Sequence, residues 1–88
     1  MASEAEVTRL KRLLYRARHR GTKEMDWLLG RYAQARLDEM SGDEVDLFEA
    51  LCALPDPEVQ DWIMTPGAAI DPVYAPLVAQ LRRFHGLT

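Results

Sequence analysis

The chain has 88 residues, enough for one domain and too few for two, since domains usually need on the order of 100 residues. Its hydrophobic content of 48% with 28% charged residues is typical of a folded protein and excludes a disordered one. The net charge of −3 is unevenly spread: residues 1–23 hold seven basic and two acidic residues, whereas residues 24–88 hold four basic and twelve acidic ones. The chain therefore has a cationic N-terminal part and an acidic remainder.

Two further classes are excluded by the sequence. No apolar run approaches the roughly 20 residues that span a bilayer, and the N-terminus lacks the cationic start and apolar core of a secretory signal. We therefore expect a cytoplasmic protein without a targeting peptide. The single Cys52 excludes an internal disulfide, and its apolar neighbours predict a buried thiol.

The first two predicted helices meet at Gly21. Ser3 with Glu6 three residues later forms a capping-box pattern that begins the first helix, and Gly21 is expected to end it. A second helix should run over about 22–40, with Gly30 weakening its middle by about 1 kcal/mol relative to alanine. The apolar faces predicted for these helices are Val7, Leu10, Leu14 and Ala17, followed by Met25, Leu28, Leu29, Tyr32 and Ala35.

The third and fourth helices also carry start signals. Ser41 with Glu44 is a second capping-box pattern. Asp56-Pro57 indicates a cap followed by proline at the first helical position of a fourth helix, which should end near residues 65–67. The buried positions predicted here are Leu47, Phe48, Leu51 and Leu54, followed by Val59, Trp62 and Ile63.

A fifth helix closes the chain. Asp71-Pro72 repeats the cap-and-proline pattern, and Pro76 either kinks the first turns or moves the start to about Ala75. The predicted inward residues are Tyr74, Leu77, Val78, Leu81 and Phe84. Because no segment alternates polar and apolar residues over a strand's length, the predicted fold class is all-α, a compact five-helix bundle forming a single domain over residues 1–88.

The first helix is strongly basic, with Arg12 and Arg16 among cations spaced three and four apart. Such a face is either a solvated surface or a binding surface for an acidic protein or for phosphate. Three observations count against nucleic acid: the chain is acidic overall, no aromatic platform is interleaved with the arginines, and the second helix begins with Glu24 and Asp26.

The sequence Arg20-Gly21-Thr22-Lys23-Glu24 allows two interpretations. Gly21 supplies a left-handed conformation, Thr22 caps the next helix, and Glu24 interacts with the free N–H groups of its first turn. Alternatively, Arg20 and Glu24 lie at an exposed bend where a glycine lets another backbone approach closely.

No catalytic arrangement is recognisable. There is no Ser/His/Asp set and no Gly-rich phosphate loop, and His19 and His85 are too isolated for a metal site with recognisable spacing. We therefore expect a protein that is not an enzyme. Trp62 is either a core aromatic or, if partly exposed, an anchor for a partner.

The run from Arg12 to Glu24 resembles the small flavinylation and assembly factors of succinate dehydrogenase, whose client-binding motif is Arg-Gly-x-x-Glu. The resemblance covers nearly the whole chain. Its later landmarks are the acidic segment 40–44 leading to Phe48, the step 54–57 and Asp61-Trp62.

The resemblance implies a chaperone that binds the flavoprotein subunit of succinate dehydrogenase, and in some bacteria fumarate reductase, and promotes covalent attachment of FAD. The factor itself would bind no cofactor stably and would be monomeric when free. Partner-binding roles transfer to Arg20, Gly21, Glu24 and Trp62, and the basic residues Arg12 and Arg16 are expected to attract the client. The alternatives are a generic protein-interaction or antitoxin-like module and, behind these, a nucleic-acid-binding domain.

Overall fold

The computed structural model describes residues 3–87, and within them the chain forms five helices and no strand, as predicted. The second helix, α2, covers residues 23–39 without a break but changes its winding along its length. The bounds are α1 Glu4–Arg18, α2 23–39, α3 Gly42–Cys52, α4 Asp56–Met64 and α5 Ala75–Phe84. Helix α2 consists of four consecutive segments: Lys23–Met25, Asp26–Gly30, Arg31–Arg36 and Leu37–Glu39.

Helix α1 begins as its sequence predicts, because the Ser3 side chain accepts a hydrogen bond from the Glu6 N–H at 3.2 Å. Its buried face differs from the prediction. Leu13 is buried at 1% exposure, whereas Val7 is 41% exposed and its predicted core position is wrong. Helix α1 packs most closely on the Asp26–Gly30 turn of α2, which buries Leu13 and Ala17 near its C-terminal end.

The middle of α2 is a π-helical turn over Asp26–Gly30, followed by α-helix and a final 3₁₀ turn. A π turn winds more slowly than an α-helix, so residues four apart stay on one face. Met25, Leu28, Leu29 and Tyr32 are buried as predicted, and the row of residues four apart that contains Met25 and Leu29 continues to Ala33 and Leu37. Ala35, predicted to face inward, is exposed because this row passes through Ala33 instead.

Gly30 lies where α1 and α2 touch. A Cβ built on it would stand 3.1 Å from both Cα and Cγ of Arg18 and 3.3 Å from the Ala17 carbonyl oxygen. Its missing side chain therefore allows a close approach of two helices, which outweighs the loss of helix propensity predicted from sequence.

The starts of α3, α4 and α5 follow three different patterns. The Ser41 and Glu44 box forms both of its hydrogen bonds, as predicted. In α4 the cap is Pro55, and Asp56 is already helical; the prediction of Asp56 as the cap is wrong because its carboxylate binds Arg20. Helix α5 starts at Ala75, the later of the two predicted positions.

The core brings together aromatic and aliphatic side chains from all five helices. Tyr32 contacts the rings of Phe48 and Phe84, and its hydroxyl donates to the Gln80 side chain at 3.0 Å; burial raises the pKa of this phenol. Cys52 is buried as predicted, and burial raises the pKa of its thiol to about 11. None of the helices in 3–87 has the length and apolar character that crossing a membrane requires.

We predict that Gly30→Ala destabilises the fold although alanine is the better helix former. The new methyl group would press on the backbone of α1, and such overpacking typically costs about 1 to 3 kcal/mol, with each 1 kcal/mol lowering Tm by about 4 to 8 °C in a domain of this size. The control is Gly42→Ala, since Gly42 is helical and a Cβ there would meet no atom within 4 Å. Thermal melts in which Gly30→Ala equals or exceeds the wild-type Tm would contradict the close-packing role.

Candidate functional site

The bend between α1 and α2 is exposed and centred on Gly21, and residues 20–24 together form a corner of the molecule. The φ of +107° at Gly21 is a conformation that L side chains rarely adopt, and no atom lies within 4 Å of where its Cβ would be. Thr22 then caps α2, because its hydroxyl accepts a hydrogen bond from the Met25 N–H at 3.2 Å. The predicted bend and cap are both present, and the space beside Gly21 is open.

Arg20 points into the protein. Its guanidinium donates to Asp56 Oδ1 through Nε at 3.0 Å and through Nη2 at 2.5 Å, and Nη1 donates to the Cys52 carbonyl at 2.6 Å. The side chain is only 10% exposed and that of Asp56 is 21% exposed. Arg20 therefore joins the corner to the α3–α4 junction. A direct contact between this guanidinium and a partner would require this ion pair to open.

Asp26 holds the same bend from the other side, because its carboxylate accepts a hydrogen bond from the Arg20 backbone N–H. Its own N–H donates to the Thr22 carbonyl at 3.0 Å. Sequence reasoning treated Asp26 only as an acidic residue at the start of a helix. The sequence feature that could have indicated this role is an aspartate in the first turns after a glycine bend, since its side chain can reach back to the preceding residues.

Glu24 presents its carboxylate to solvent. It is exposed in the first turn of α2 and makes no side-chain hydrogen bond or ion pair with any residue in 3–87. The structure thus separates the two charged residues of the Arg-Gly-x-x-Glu sequence: Arg20 is held inside, and Glu24 faces outward beside Gly21.

The basic face of α1 is partly neutralised by α3. Arg9 pairs with Asp46 at 2.7 Å and with Glu49 at 3.2 Å. The hydrogen bonds that its guanidinium donates to Glu49, and to a lesser extent to Asp46, raise the pKa of Arg9 above its ordinary value. Arg12 and Arg16 are exposed and form no ion pair among the described residues. They remain available to attract an acidic surface.

The prediction that no aromatic side chain is interleaved with the arginines of α1 was wrong. Tyr15, 63% exposed, lies between Arg12 and Arg16 and stacks on His19 with ring centroids 4.0 Å apart. An aromatic surface is therefore interleaved with the arginines after all. The acidic balance of the chain and the acidic start of α2 still count against nucleic acid.

The two tryptophans have opposite environments. Trp62, predicted as a partner contact, is 6% exposed and stacks on Tyr74 at 5.7 Å, so its burial favours the core role over direct contact. Trp27, which the sequence analysis did not single out, is 42% exposed and lies one residue after Asp26. The sequence could have indicated its exposure, because Trp27 is a large aromatic residue that lies outside the apolar pattern predicted for α2.

Within residues 3–87 no three histidine, cysteine or acidic residues form a group that could hold a metal ion. The corner offers a shaped surface with a carboxylate, an open glycine backbone and nearby cations. Such a surface is suited to binding another protein.

We predict strong energetic coupling between Arg20 and Asp56. Hydrogen bonds to charged groups are typically worth about 1.5 to 3 kcal/mol each, and removing one partner of this largely buried pair leaves the other unsatisfied. Denaturant unfolding of Arg20→Ala, Asp56→Ala and the double variant should give a coupling energy of about 1 to 3 kcal/mol. The half-exposed Arg9–Asp46 pair is the control and should couple more weakly. Additive effects of the two changes would show that the pair does not stabilise the corner.

Comparisons with known proteins agree with the resemblance. The family described as flavinator of succinate dehydrogenase matches residues 11–85. The FAD assembly factor SdhE of Acetobacter pasteurianus is 40% identical over 63 residues, which is 72% of this chain and 58% of that protein. The mitochondrial succinate dehydrogenase assembly factor 2 of Mycosarcoma maydis is 40% identical over 60 residues, covering 68% of this chain and 25% of that protein.

The match thus spans just over half of the bacterial relative and a quarter of the fungal one. No solved structure matches significantly. Because the family match runs through all five helices and includes the whole corner at Gly21, the chain belongs to the flavinator of succinate dehydrogenase family.

Proposed function

We propose that this chain is an assembly chaperone that binds the flavoprotein subunit of succinate dehydrogenase and promotes covalent attachment of FAD to it. Family membership supports the proposal, and the observation that carries it is the exposed corner at Gly21 and Glu24. Arg20 and Asp26 hold this corner in place from inside, so the backbone at Gly21 is presented without needing a partner to order it.

The chain would act through binding. A surface that favours one arrangement of the flavoprotein raises the population in which the flavin and the attacking side chain are close and correctly oriented. FAD would become attached to the client, and this chain would hold no cofactor stably. The flavoprotein of fumarate reductase is a further client to be tested by the same assay.

The direct test is deletion of the gene, followed by separation of cell proteins on a denaturing gel. Covalently attached flavin fluoresces under those conditions, whereas dissociable flavin is lost. The flavoprotein band should lose its fluorescence on deletion and regain it when the gene is restored. Unchanged fluorescence in the deletion strain would overturn the proposed function.

We predict that Gly21→Arg abolishes this complementation while the bundle remains folded. A Cβ at this position would meet no atom beyond its chain neighbours within 4 Å, so the new side chain starts in open space, the space that a client backbone needs. Non-glycine residues in the left-handed region cost about 1 to 2 kcal/mol, so some stability should be lost. Gly67→Arg is the matched control, because Gly67 also has a positive φ, +75°, and open space around it. Equal loss of flavin fluorescence in both variants would attribute the effect to strain.

Glu24→Gln should reduce flavinylation sharply with little change in Tm. In the free protein the carboxylate contributes only about 0.3 to 1 kcal/mol through the helix dipole. If it pairs with a cation or N–H donors of the client, its loss at a buried interface costs about 2 to 5 kcal/mol of binding. Glu58→Gln, an exposed first-turn glutamate of α4, is the control. Melting temperature and in-gel flavin fluorescence are compared for both, and a normal fluorescence in Glu24→Gln would leave Glu24 without a role in binding.

Arg12 and Arg16 should accelerate association with an acidic client. Attraction between exposed charges is screened beyond about 8 Å at physiological ionic strength, so charge reversal at both positions should slow association and flatten its salt dependence. Reversal at Arg36 and Arg83, which line a different cavity, changes the net charge equally and serves as control. Stopped-flow association rates that respond equally to the two pairs would show that only total charge matters.

A further inference from the structure

Trp27 stands out as a large aromatic side chain left 42% exposed beside the corner. It lies in the π turn of α2, and such turns occur frequently at functional sites. A single exposed apolar residue needs no explanation by itself. Two further features, its contact with His85 and the groove that it lines, distinguish Trp27 from an isolated exposed side chain.

The indole of Trp27 packs against His85, which follows the end of α5. Its ring centroid lies 4.3 Å from that of His85, and His85 Nε2 is 2.7 Å from the Leu28 carbonyl oxygen. The end of α5 therefore fixes an aromatic surface on α2. A side chain that is already ordered loses little conformational entropy when a partner covers it.

Trp27 also lines a surface groove of about 630 Å³, together with Arg18, Asp26, Gly30, Arg31, Gln34, Ala35 and Phe84. Arg18 and Arg31 are exposed and form no ion pair among residues 3–87. The carboxylate of Asp26 already accepts the Arg20 N–H. The groove thus combines one fixed aromatic surface with two available guanidinium groups.

The two cations of the groove come from different parts of the chain. Arg18 belongs to the basic helix α1, whereas Arg31 is one of four basic residues among residues 24–88, which hold twelve acidic ones, and both lie next to an exposed aromatic ring. Guanidinium groups bind carboxylates through two parallel hydrogen bonds, and tryptophan and arginine are both enriched among the residues that carry most of the binding energy at protein interfaces.

The groove adjoins the corner. Asp26 contributes to its lining and also holds the Arg20 backbone, and Arg18 precedes Arg20 by two residues. The groove and the corner are therefore joined through Asp26, so one partner surface can reach both.

We propose that this groove binds an acidic segment of the flavoprotein client, with a carboxylate between Arg18 and Arg31 and an apolar side chain covering the indole of Trp27. The inference rests on the proposed function and adds the chemistry of the client segment. It makes Trp27 an anchor of the complex and gives Arg18 and Arg31 a local role, distinct from the long-range attraction by Arg12 and Arg16.

The test is equilibrium binding of the full chain to purified flavoprotein subunit from the deletion strain. Trp27→Ala should weaken binding by about 30-fold, as expected for a central aromatic residue of an interface, and Trp27→Phe should weaken it much less. Reversal of Arg18 and Arg31 together should weaken binding and reduce its salt dependence. Val73→Ala, at a residue 62% exposed, is the control for loss of an exposed apolar side chain. Reversal of Lys11 and Arg83, which are exposed and do not line the groove, is the charge control.

Melts of Trp27→Ala and His85→Ala separate binding from stability. If both lower Tm and neither changes Kd, Trp27 only covers His85, and the proposal is overturned. If wild type binds and Glu24→Gln binds weakly while Trp27→Ala binds normally, the proposal fails and the proposed function stands. If wild type does not bind at all, both fail. Sedimentation that shows self-association lost in Trp27→Ala, with client binding intact, would assign the groove to a second copy of this chain and overturn the proposal.

Discussion

The ion pair between Arg20 and Asp56 is the contact on which the geometry of the corner depends. It joins two positions 36 residues apart in sequence, Arg20 in the α1–α2 bend and the first residue of α4. The Cys52 carbonyl, near the end of α3, accepts the third hydrogen bond. Two helices, α3 and α4, and the α1–α2 bend thus meet at a single guanidinium. With Asp26 holding the Arg20 N–H, the bend is fixed at both its backbone and its side chain.

The residue types at this junction follow from physical chemistry. A buried guanidinium is stable only if its donors are satisfied, and arginine's planar fork can bind a carboxylate and a carbonyl at once, whereas a lysine ammonium is a compact charge. Asp56 also lies at the first position of α4, where the partial positive charge of the helix end favours a carboxylate. Its two roles, the ion pair with Arg20 and the interaction with the helix end, therefore favour the same charged state.

Features with local causes were predictable from the sequence. The Ser3 and Ser41 caps, the Gly21 bend and the five helices all depend on residues within a few positions of each other. The buried Cys52 and the burial of the α4 face also followed from helical spacing. The all-α fold could be predicted for the same reason.

Features that depend on distant neighbours were not predictable. Whether Arg20 faces inward is decided by Asp56, and whether Gly30 weakens or tightens the structure is decided by Arg18. Ala33 is buried where Ala35 was predicted to be, and this difference accompanies a π turn that no pattern in the sequence predicted. In the candidate site, sequence identified the exposed Gly21 and Glu24 but missed Asp26.

The Arg-Gly-x-x-Glu sequence therefore divides into an internal part and an external part. Arg20 fixes the bend, and Gly21 with Glu24 forms the surface that a partner can reach. In the proposed complex, a change at Arg20 would act on binding by displacing that surface, whereas a change at Glu24 would act on the contact itself. Because the surface is ordered before binding, little of the interaction energy is lost in folding it, and more remains to hold the client in one arrangement. In the proposed function, a bundle of this size would need this property to shift the conformation of a larger flavoprotein.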